Sequence, residues 1–277
     1  MIDHPDILAL VKLALEEDIG AGDATTLACI AADRIAVGRY YARQDAVLAG
    51  IGLLELIYEM RGGVKHLHLP VMDGARVCDG QLVGEVRGAA RTLLECERVS
   101  LNFLQRLSGI ATLAQRYTDA VEGTGCKVLD TRKTTPGLRR LEKMAAAAGG
   151  VQNHRMGLYD AVLIKNNHIT AAGGVRAALE RVSQSPLLVE IEVRTMAELE
   201  EALACGAKHL LLDNLTPARA AEWIRYIDGR ATAELSGNIT LDTVRSYAET
   251  GADYVSSGAI THSAMSADFN FRLELIS

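Results

Sequence analysis

Short runs of Val, Ile and Leu alternate with helical patterns from residue 127 onward, and this alternation constrains the fold more than any other feature. It indicates a parallel sheet whose strands are connected by helices. The polar residues that end successive runs are 27 apart between 165 and 192, 21 apart between 192 and 213, and 23 apart between 213 and 236. This even spacing favours a closed or nearly closed α/β barrel over an open, doubly wound sheet. The runs are KVLD, AVLIK, LLVEIEV, HLLLD, TAELS and YVSS.

Residues 1–100 have the pattern of a mixed α+β domain. The stretch ILALVKLALEED has apolar residues at helical spacing, and RIAVGRYYARQDAVLAG alternates as an antiparallel strand does. A long helical pattern then begins at ERVSLN, and we interpret its SGIAT segment as an interruption that forms the hinge between two domains. We therefore predict an N-terminal domain over 1–100 and a barrel domain over 101–267, with the tail 268–277 packing with the first domain.

Composition limits the range of functions. No apolar run approaches the ~20 residues of a membrane-spanning helix, and the N-terminus lacks the basic start and apolar core of a secretory signal. The five cysteines include no C-x-x-C pair, so neither a disulfide framework nor a zinc site is indicated. We predict a soluble, cytoplasmic protein without a membrane partner.

The charge of the chain is unevenly distributed. The net charge is −6, from 29 Lys and Arg against 35 Asp and Glu, which argues against nucleic acid as a partner. Residues 130–170 nevertheless contain seven basic and three acidic side chains, a local charge of +4, so the remainder carries 22 minus 32, or −10. This region opens with DTRKTTPGLRRLEK and is predicted to bind an anion.

Polar or small residues follow every predicted strand. In a barrel of parallel strands the carboxyl ends meet at one rim, where enzymes of this fold place their chemistry. Ser/Gly loops at the end of the series can bind a phosphate through main-chain N–H groups. One charged strand end is usually a solvated cap, but a complete series favours a binding site. The residues are Arg132 and Lys133, Lys165, Glu192, Asp213, Ser236-Gly237-Asn238 and Ser256-Ser257-Gly258.

These side chains divide into two chemical roles. Arg132, Arg155 and Lys165 can pair with carboxylates or phosphates of a ligand. Glu192 and Asp213 can accept hydrogen bonds from sugar hydroxyls or help to hold a hard cation. The expected ligand is therefore anionic and carries hydroxyl groups.

Two histidines accompany the cations. His154, beside Arg155, has three open interpretations: a proton carrier, a hydrogen-bonding ligand of the anion, or a structural residue. His168, in the segment NNHI, is interpreted as part of a loop that fixes a strand end.

A series of motifs resembles the quinolinate phosphoribosyltransferases, also called carboxylating nicotinate-nucleotide pyrophosphorylases. The motifs extend over nearly the whole chain, in the family's order and at its spacing. The resemblance implies a type II phosphoribosyltransferase with an N-terminal α+β sandwich domain, an open or incomplete α/β barrel, and homodimers or higher oligomers with shared active sites. The motifs are EEDIGAGDATT, ERVSLNFLQRLSGIAT, DTRKTTPGLRRLEK, NHRMGL, LIKNNHI, EIEV, LLDN, ELSGNI and SSGAITHS.

The resemblance also implies the reaction and its residues. Quinolinate and phosphoribosyl pyrophosphate, with Mg²⁺ as cofactor, would give nicotinate mononucleotide, pyrophosphate and carbon dioxide for NAD biosynthesis. Lys133 is expected to face the pyrophosphate, and Glu192 and Asp213 to contact the ribose hydroxyls and Mg²⁺; these three form the expected catalytic set. The expected substrate-binding residues are Arg98 of the partner subunit, Thr131, Arg132, His154, Arg155 and Lys165, together with Ser236, Gly237, Ser257, Gly258 and His262 on the 5-phosphate side.

Two departures and three alternatives accompany this resemblance. Val151 stands where the family has a glycine before its NHR motif, and Asn166 stands where it has an Asp, which leaves the preferred acid open. A molybdenum-associated paralogue is the first alternative, although its pattern lacks counterparts of Arg98 and Lys165. A Schiff-base aldolase that uses a strand-end lysine and a non-catalytic ligand sensor are the others.

Overall fold

The computed structural model describes residues 2–276, and these residues form two compact units. The first unit contains the chain up to residue 115, residues 135–150 and the residues from 263 onward; the second contains 116–134 and 151–262. In chain order the elements are α1 (Pro5–Ile19), α2 (Ala24–Cys29), β1 (Ile35–Ala42), β2 (Ala46–Val47), α3 (Leu53–Met60), β3 (His66–His68), β4 (Arg76–Val77), β5 (Leu82–Ala89), α4 (Ala90–Val121), β6 (Lys127–Leu129), α5 (Arg139–Ala148), β7 (Val162–Ile164), α6 (Asn166–Ala172), α7 (Val175–Val182), β8 (Val189–Val193), α8 (Met196–Ala204), β9 (His209–Asp213), α9 (Pro217–Ile227), β10 (Thr232–Ser236), α10 (Val244–Ala248), β11 (Tyr254–Ser256), α11 (Ala259–His262) and β12 (Phe269–Leu275).

The first unit is built on an antiparallel sheet in the order β12-β1-β5-β3. Alternate side chains of β1 are buried, among them Ala36, Tyr40 and Ala42, as expected for a strand with one face on a core. Strand β12 brings the C-terminal residues beside β1, where Phe269 pairs with Ala42. The last strand of the chain thus completes a sheet that begins near its start.

The compact units divide the chain differently from the limits 1–100 and 101–267, which stay a prediction. Residues 135–150, assigned from the sequence to the barrel domain, group with the first unit. The side chain of Glu142 on α5 is fully buried there, and its Oε1 accepts a hydrogen bond from Nη2 of Arg106 at 2.7 Å. A buried ion pair of this kind is a long-range contact that local sequence patterns do not encode.

Helix α4 runs without interruption from Ala90 to Val121, so the predicted interruption of the helix at SGIAT is wrong. Gly109 lies within this helix at a close approach of the main chain. A Cβ at this position would lie 2.0 Å from the carbonyl oxygen of Met265. The glycine permits close packing rather than breaking the helix, and helical periodicity cannot distinguish these two roles.

The second unit contains a six-stranded parallel sheet in the order β6-β11-β10-β9-β8-β7. Among the described residues, β6 and β7 do not pair with each other, and Gln152 forms a single bridge to Leu129 of β6. The sheet is therefore an incompletely closed α/β barrel, as predicted. Thr195 and Glu198 form the predicted capping box at the start of α8. No helix within residues 2–276 combines the length and apolar character needed to cross a lipid bilayer.

Candidate active site

The carboxyl ends of the parallel strands surround a cavity of about 510 Å³ in the second unit. Most of the residues predicted for the site line it. Its lining residues are Thr131, Arg132, Lys133, His154, Arg155, Leu163, Lys165, Glu192, Leu211, Asp213, Asn214, Glu234, Ser236, Gly237, Asn238 and Ser256.

Arg155 and Arg132 place two positive charges close together in the cavity wall. Nη1 of Arg155 donates to the carbonyl oxygen of Ala161 at 2.9 Å, whereas its Nε is buried and has no hydrogen-bond partner among the described residues. Burial, together with the charge of Arg132, lowers the pKa of Arg155. A ligand anion between the two guanidinium groups would relieve their repulsion and pair with the unsatisfied donor.

Lys133 lies in a turn that two threonines hold. Its main-chain N–H donates to Oγ1 of Thr131 at 3.1 Å, and its carbonyl oxygen accepts from Oγ1 of Thr261 at 2.9 Å. The side chain passes Gly258, where a Cβ would lie 2.7 Å from Cδ of Lys133 and 3.1 Å from the ring of His262. Gly258 and His262 are therefore neighbours of Lys133, although they are not among the residues that line the cavity.

Lys165 and Glu192 form an ion pair at the ends of β7 and β8, with Nζ 3.2 Å from Oε2. The side chain of Glu192 is 8% exposed and that of Lys165 48% exposed. Burial and the neighbouring charge of Glu192 raise the pKa of Asp213, which ends β9, and Asn214 donates to its Oδ2 at 2.7 Å. His168 holds the strand end as predicted, because its Nδ1 accepts the N–H of Lys165 at 2.9 Å. The segment NNHI is, however, the first turn of α6 rather than a loop.

Two groups of side chains have atoms that can ligate a metal. Glu192 and Asp213 fit Mg²⁺, because they offer carboxylate oxygens and a hard divalent cation would offset their mutual repulsion. In the second group, atoms of His154, Glu190 and Glu234 all lie within 4.8 Å of one another. Hydrogen bonds account for that group, since Nε2 of the imidazole is 3.2 Å from Oε2 of Glu190 and 3.4 Å from Oε2 of Glu234.

The contacts of His154 determine where its protons lie. Burial opposes a charge on the ring, but hydrogen bonds to Glu190 and Glu234 outweigh it and raise the pKa of His154 to about 9. Burial also raises the pKa of Glu190. The N–H of Arg155 lies 2.7 Å from Nδ1 of His154 and can donate to it only while Nδ1 carries no proton. Because the N–H of Arg155 requires Nδ1 without a proton, we conclude that the extra proton lies on the Nε2 side of the ring, between the imidazole and Glu190.

The loop after β10 has a strained backbone at the cavity. Gly237 has φ of 109°, and a Cβ there would lie 2.3 Å from Oδ1 of Asn214, so glycine is required. Ser236 lines the cavity beside it. Ser257 does not line the cavity; it is buried, and its Oγ donates to the carbonyl oxygen of Ile239 at 2.7 Å. Its predicted contact with phosphate stays a prediction, while its present bond fixes the adjoining loops.

The family model described as the quinolinate phosphoribosyl transferase C-terminal domain matches residues 110–272, and the model of the N-terminal domain matches residues 23–108. The chain belongs to the quinolinate phosphoribosyltransferase family.

Individual quinolinate phosphoribosyltransferases resemble the chain over most of its length. It is 40% identical to quinolinate phosphoribosyltransferase [decarboxylating] 1b of Nicotiana tabacum, over 98% of this chain and 84% of the relative. It is 35% identical to the probable nicotinate-nucleotide pyrophosphorylase [carboxylating] of Bacillus subtilis, over 99% and 96%. The crystal structure of NadC from Streptococcus pyogenes superposes with a TM-score of 0.92 at 40% identity, covering 97% of this chain and 96% of the other.

Two departures from the quinolinate phosphoribosyltransferase pattern have clear structural settings. Val151 is buried and is not among the residues with positive φ, so its position does not require glycine. Asn166 is the first residue of α6 and follows Lys165 directly. Arg98 is an exposed residue of α4 in the first unit and is not among the cavity's lining residues.

Sequence reasoning missed Glu190, Glu234 and Asn214. A signal for the acids was present, because side chains two apart on a strand share a face. Glu190 precedes Glu192 by two residues, and Glu234 precedes Ser236 by two. Both glutamates therefore point to the interior of the barrel, one layer below the rim.

Proposed function

We propose that the chain transfers the phosphoribosyl group of phosphoribosyl pyrophosphate to the ring nitrogen of quinolinate, with loss of one carboxylate. The products would be nicotinate mononucleotide, pyrophosphate and carbon dioxide, in NAD biosynthesis. The main support is the cavity that holds Arg132 and Arg155 beside Lys165, Glu192 and Asp213, in a chain of this family.

The guanidinium groups suit an acid with two adjacent carboxylates. Arg132 and Arg155 repel each other without a ligand, and two carboxylates on neighbouring ring carbons would remove this repulsion. Lys165 would supply a third positive charge when it turns from Glu192 to the acid. Each bidentate Arg–carboxylate pair also fixes the plane of the ring, which directs its nitrogen.

The chemistry requires positioning more than a nucleophilic side chain. The ring nitrogen forms a bond to the anomeric carbon of ribose while the bond to pyrophosphate breaks, and the departing oxygen takes that electron pair. The resulting pyridinium withdraws electrons, so the 2-carboxylate leaves as carbon dioxide and the ring carbon then takes up a proton. Fixed positive charge at the cavity would stabilise the departing pyrophosphate, and the pyridinium itself would accept the electrons released by decarboxylation.

Lys133 and the two rim carboxylates would serve the pyrophosphate half of the reaction. The ammonium group of Lys133 would stabilise charge on the departing oxygen. Glu192 and Asp213 would orient the ribose hydroxyls and hold Mg²⁺. The bound ion would supply further charge neutralisation on the pyrophosphate.

The ion pair of Lys165 argues against a Schiff-base aldolase. An amine must be neutral to attack a carbonyl group, whereas Nζ of Lys165 lies 3.2 Å from the buried carboxylate of Glu192. A lysine held in such an ion pair suits the binding of an anion better than attack on a carbonyl group.

Two further parts of the proposal concern assembly and location. The enzyme would act in the cytoplasm as a homodimer or larger oligomer. Arg98 of the partner subunit would then complete each site. Its exposure on α4 is compatible with such a role.

A product assay tests the reaction. Quinolinate labelled in its 2-carboxylate is incubated with the enzyme, phosphoribosyl pyrophosphate and Mg²⁺, and labelled carbon dioxide, pyrophosphate and nicotinate mononucleotide should form in equal amounts. Nicotinate, which lacks the 2-carboxylate, is the control and should react at least about 100-fold more slowly. Equal reaction of nicotinate, or pyrophosphate release without carbon dioxide, would contradict the proposal.

A further inference from the structure

The floor of the cavity contains a buried acidic pair that no direct contact with an anionic substrate explains. Glu190 on β8 is 6% exposed and Glu234 on β10 is 4% exposed. Both place an oxygen near the same atom, Nε2 of His154, at 3.2 and 3.4 Å. Oε1 of Glu234 is buried without a hydrogen-bond partner among the described residues. A buried acid that faces a cavity for anions depends strongly on the ring nitrogen that donates to it.

His154 connects this acidic pair to the next residue along the chain. Two carboxylates at Nε2 keep a proton there, which leaves Nδ1 as an acceptor. The main-chain N–H of Arg155 donates to Nδ1 at 2.7 Å. Both ring nitrogens are thus engaged by the protein, so the ring holds the main chain at Arg155 and has no N–H left to offer a ligand in this arrangement.

Other contacts fix the same segment from its second side. Oδ1 of the fully buried Asp130 accepts the main-chain N–H of His154 at 2.8 Å, and its Oδ2 accepts from Asn153 at 2.7 Å. Other ionisable groups beside this segment include Arg132 and Asp160, near Arg155, and His209, near Glu190. The main chain at Arg155 is therefore anchored on both sides, and Nε of its guanidinium, which has no hydrogen-bond partner within residues 2–276, lies in the cavity wall.

We propose that Glu190 and Glu234 are positioning residues, which act through His154 to place Arg155 for the carboxylate of the substrate. The proposal rests on the function proposed above. It gives the acidic pair a role in a site for anions, because neither glutamate needs to approach the ligand. It also makes His154 a link in the protein framework.

Hydrogen exchange of the Arg155 amide tests the link without any substrate. In the full-length protein, Glu234→Leu removes one of the two acceptors at Nε2 of His154, so the ring should hold the Arg155 N–H less firmly. This N–H should then exchange at least about tenfold faster by NMR, the factor expected for one lost hydrogen bond. Glu234→Gln keeps an acceptor oxygen and should restore most of the protection. Glu200→Leu, at an exposed glutamate of α8, is the control and should change nothing. Equal exchange in wild type and Glu234→Leu would overturn the proposal.

A double-mutant cycle tests the consequence for binding. The Kd of quinolinate, from NMR titrations that extend into the millimolar range, should rise about tenfold in Glu234→Leu. The same change should have no effect in an Arg155→Ala background, because the residue through which it acts is gone. An equal loss in both backgrounds would show that Glu234 acts elsewhere and would overturn the proposal.

One further variant and one further outcome keep the two proposals separable. If the Glu234→Leu protein shows no cooperative unfolding transition, and is therefore not folded, His154→Gln is measured in its place. The Gln side chain reaches the acidic pair but has no acceptor near the position of Nδ1. It should give the same faster exchange at Arg155, and unchanged exchange would refute the link. A wild-type enzyme that releases no carbon dioxide from quinolinate would refute the proposed reaction, while the exchange measurement would still decide the positioning role.

Discussion

Replacement of Arg155 by Ala tests the central claim about the cavity, that its paired guanidinium groups bind the carboxylates of the acid. Removal of a buried, charged partner of a ligand typically costs about 2 to 5 kcal/mol. At about 1.4 kcal/mol per factor of ten, the Kd of quinolinate should rise by roughly 30-fold to 4,000-fold. Nε of Arg155 is buried without a hydrogen-bond partner in the part of the chain that the structure describes, and a bound carboxylate would satisfy it, which favours the upper part of this range.

The same substitution should hardly change stability. Loss of the hydrogen bond from Nη1 of Arg155 to Ala161 costs about 1 kcal/mol. This cost is offset because a partly buried cation that Arg132 repels is removed at the same time. The melting temperature should therefore move by no more than about 4 °C.

Calorimetric titration with quinolinate, beside a thermal unfolding scan, measures both effects. Arg181→Ala, at an exposed position of α7, is the matched control and should bind as wild type does. Arg155→Lys keeps the positive charge but not the planar guanidinium with its paired donors, so its Kd should lie between those of wild type and Arg155→Ala. A Kd for Arg155→Ala within threefold of wild type, in a folded protein, would refute the assignment of the carboxylate site.

Four more outcomes are expected. Lys133→Ala should lower kcat by about 100-fold to 1,000-fold with the Kd of quinolinate nearly unchanged; a large loss of affinity would place Lys133 at the acid instead. The pKa of His154, raised to about 9 in the folded protein, contributes stability that is complete below about pH 6.5 and lost as the pH rises through 9, so urea unfolding should require less denaturant at pH 10 than at pH 6; no decrease would contradict the cluster's extra proton. Gly237→Ala should cost about 1 to 3 kcal/mol from its positive φ alone, and more from overlap with Asn214; chemical denaturation measures it, and an unchanged midpoint would refute the strain. Inactive Arg98→Ala and Lys133→Ala proteins, refolded together, should regain about a quarter of wild-type activity if sites are shared in a dimer, and verified mixed dimers without activity would exclude sharing.

The rim of the barrel was predictable because short apolar runs at short βα spacings place successive strand ends together. Arg132, Lys165, Glu192 and Asp213 follow from that rule, and the structure brings them to one cavity. The helical capping at Thr195 was equally local, since it depends on residues three apart.

Features that depend on distant partners were not predictable. A glycine such as Gly109 within a helical pattern suggests a break in the helix. Only the close approach of the Met265 main chain to Gly109 shows why glycine stands within a continuous helix. Glu234 lies in a run that predicts a strand, but its role depends on its contact with His154, which lies 80 residues earlier in the chain. Local patterns specify which face a side chain occupies, whereas its partner across the barrel is fixed by the tertiary fold.

The pairing of β12 with β1 also has a consequence for how the protein is made. Arg39 and Glu274, which form an ion pair across these strands, are 235 residues apart. A ribosome must therefore deliver nearly the whole chain before β1 acquires this neighbour, which takes on the order of 10 to 50 seconds at typical synthesis rates. During that interval β1 presents a row of main-chain donors and acceptors to any other extended segment. The risk of misassembly at this edge of β1 thus lasts until β12, the last strand of the sheet, has been synthesised and can pair with it.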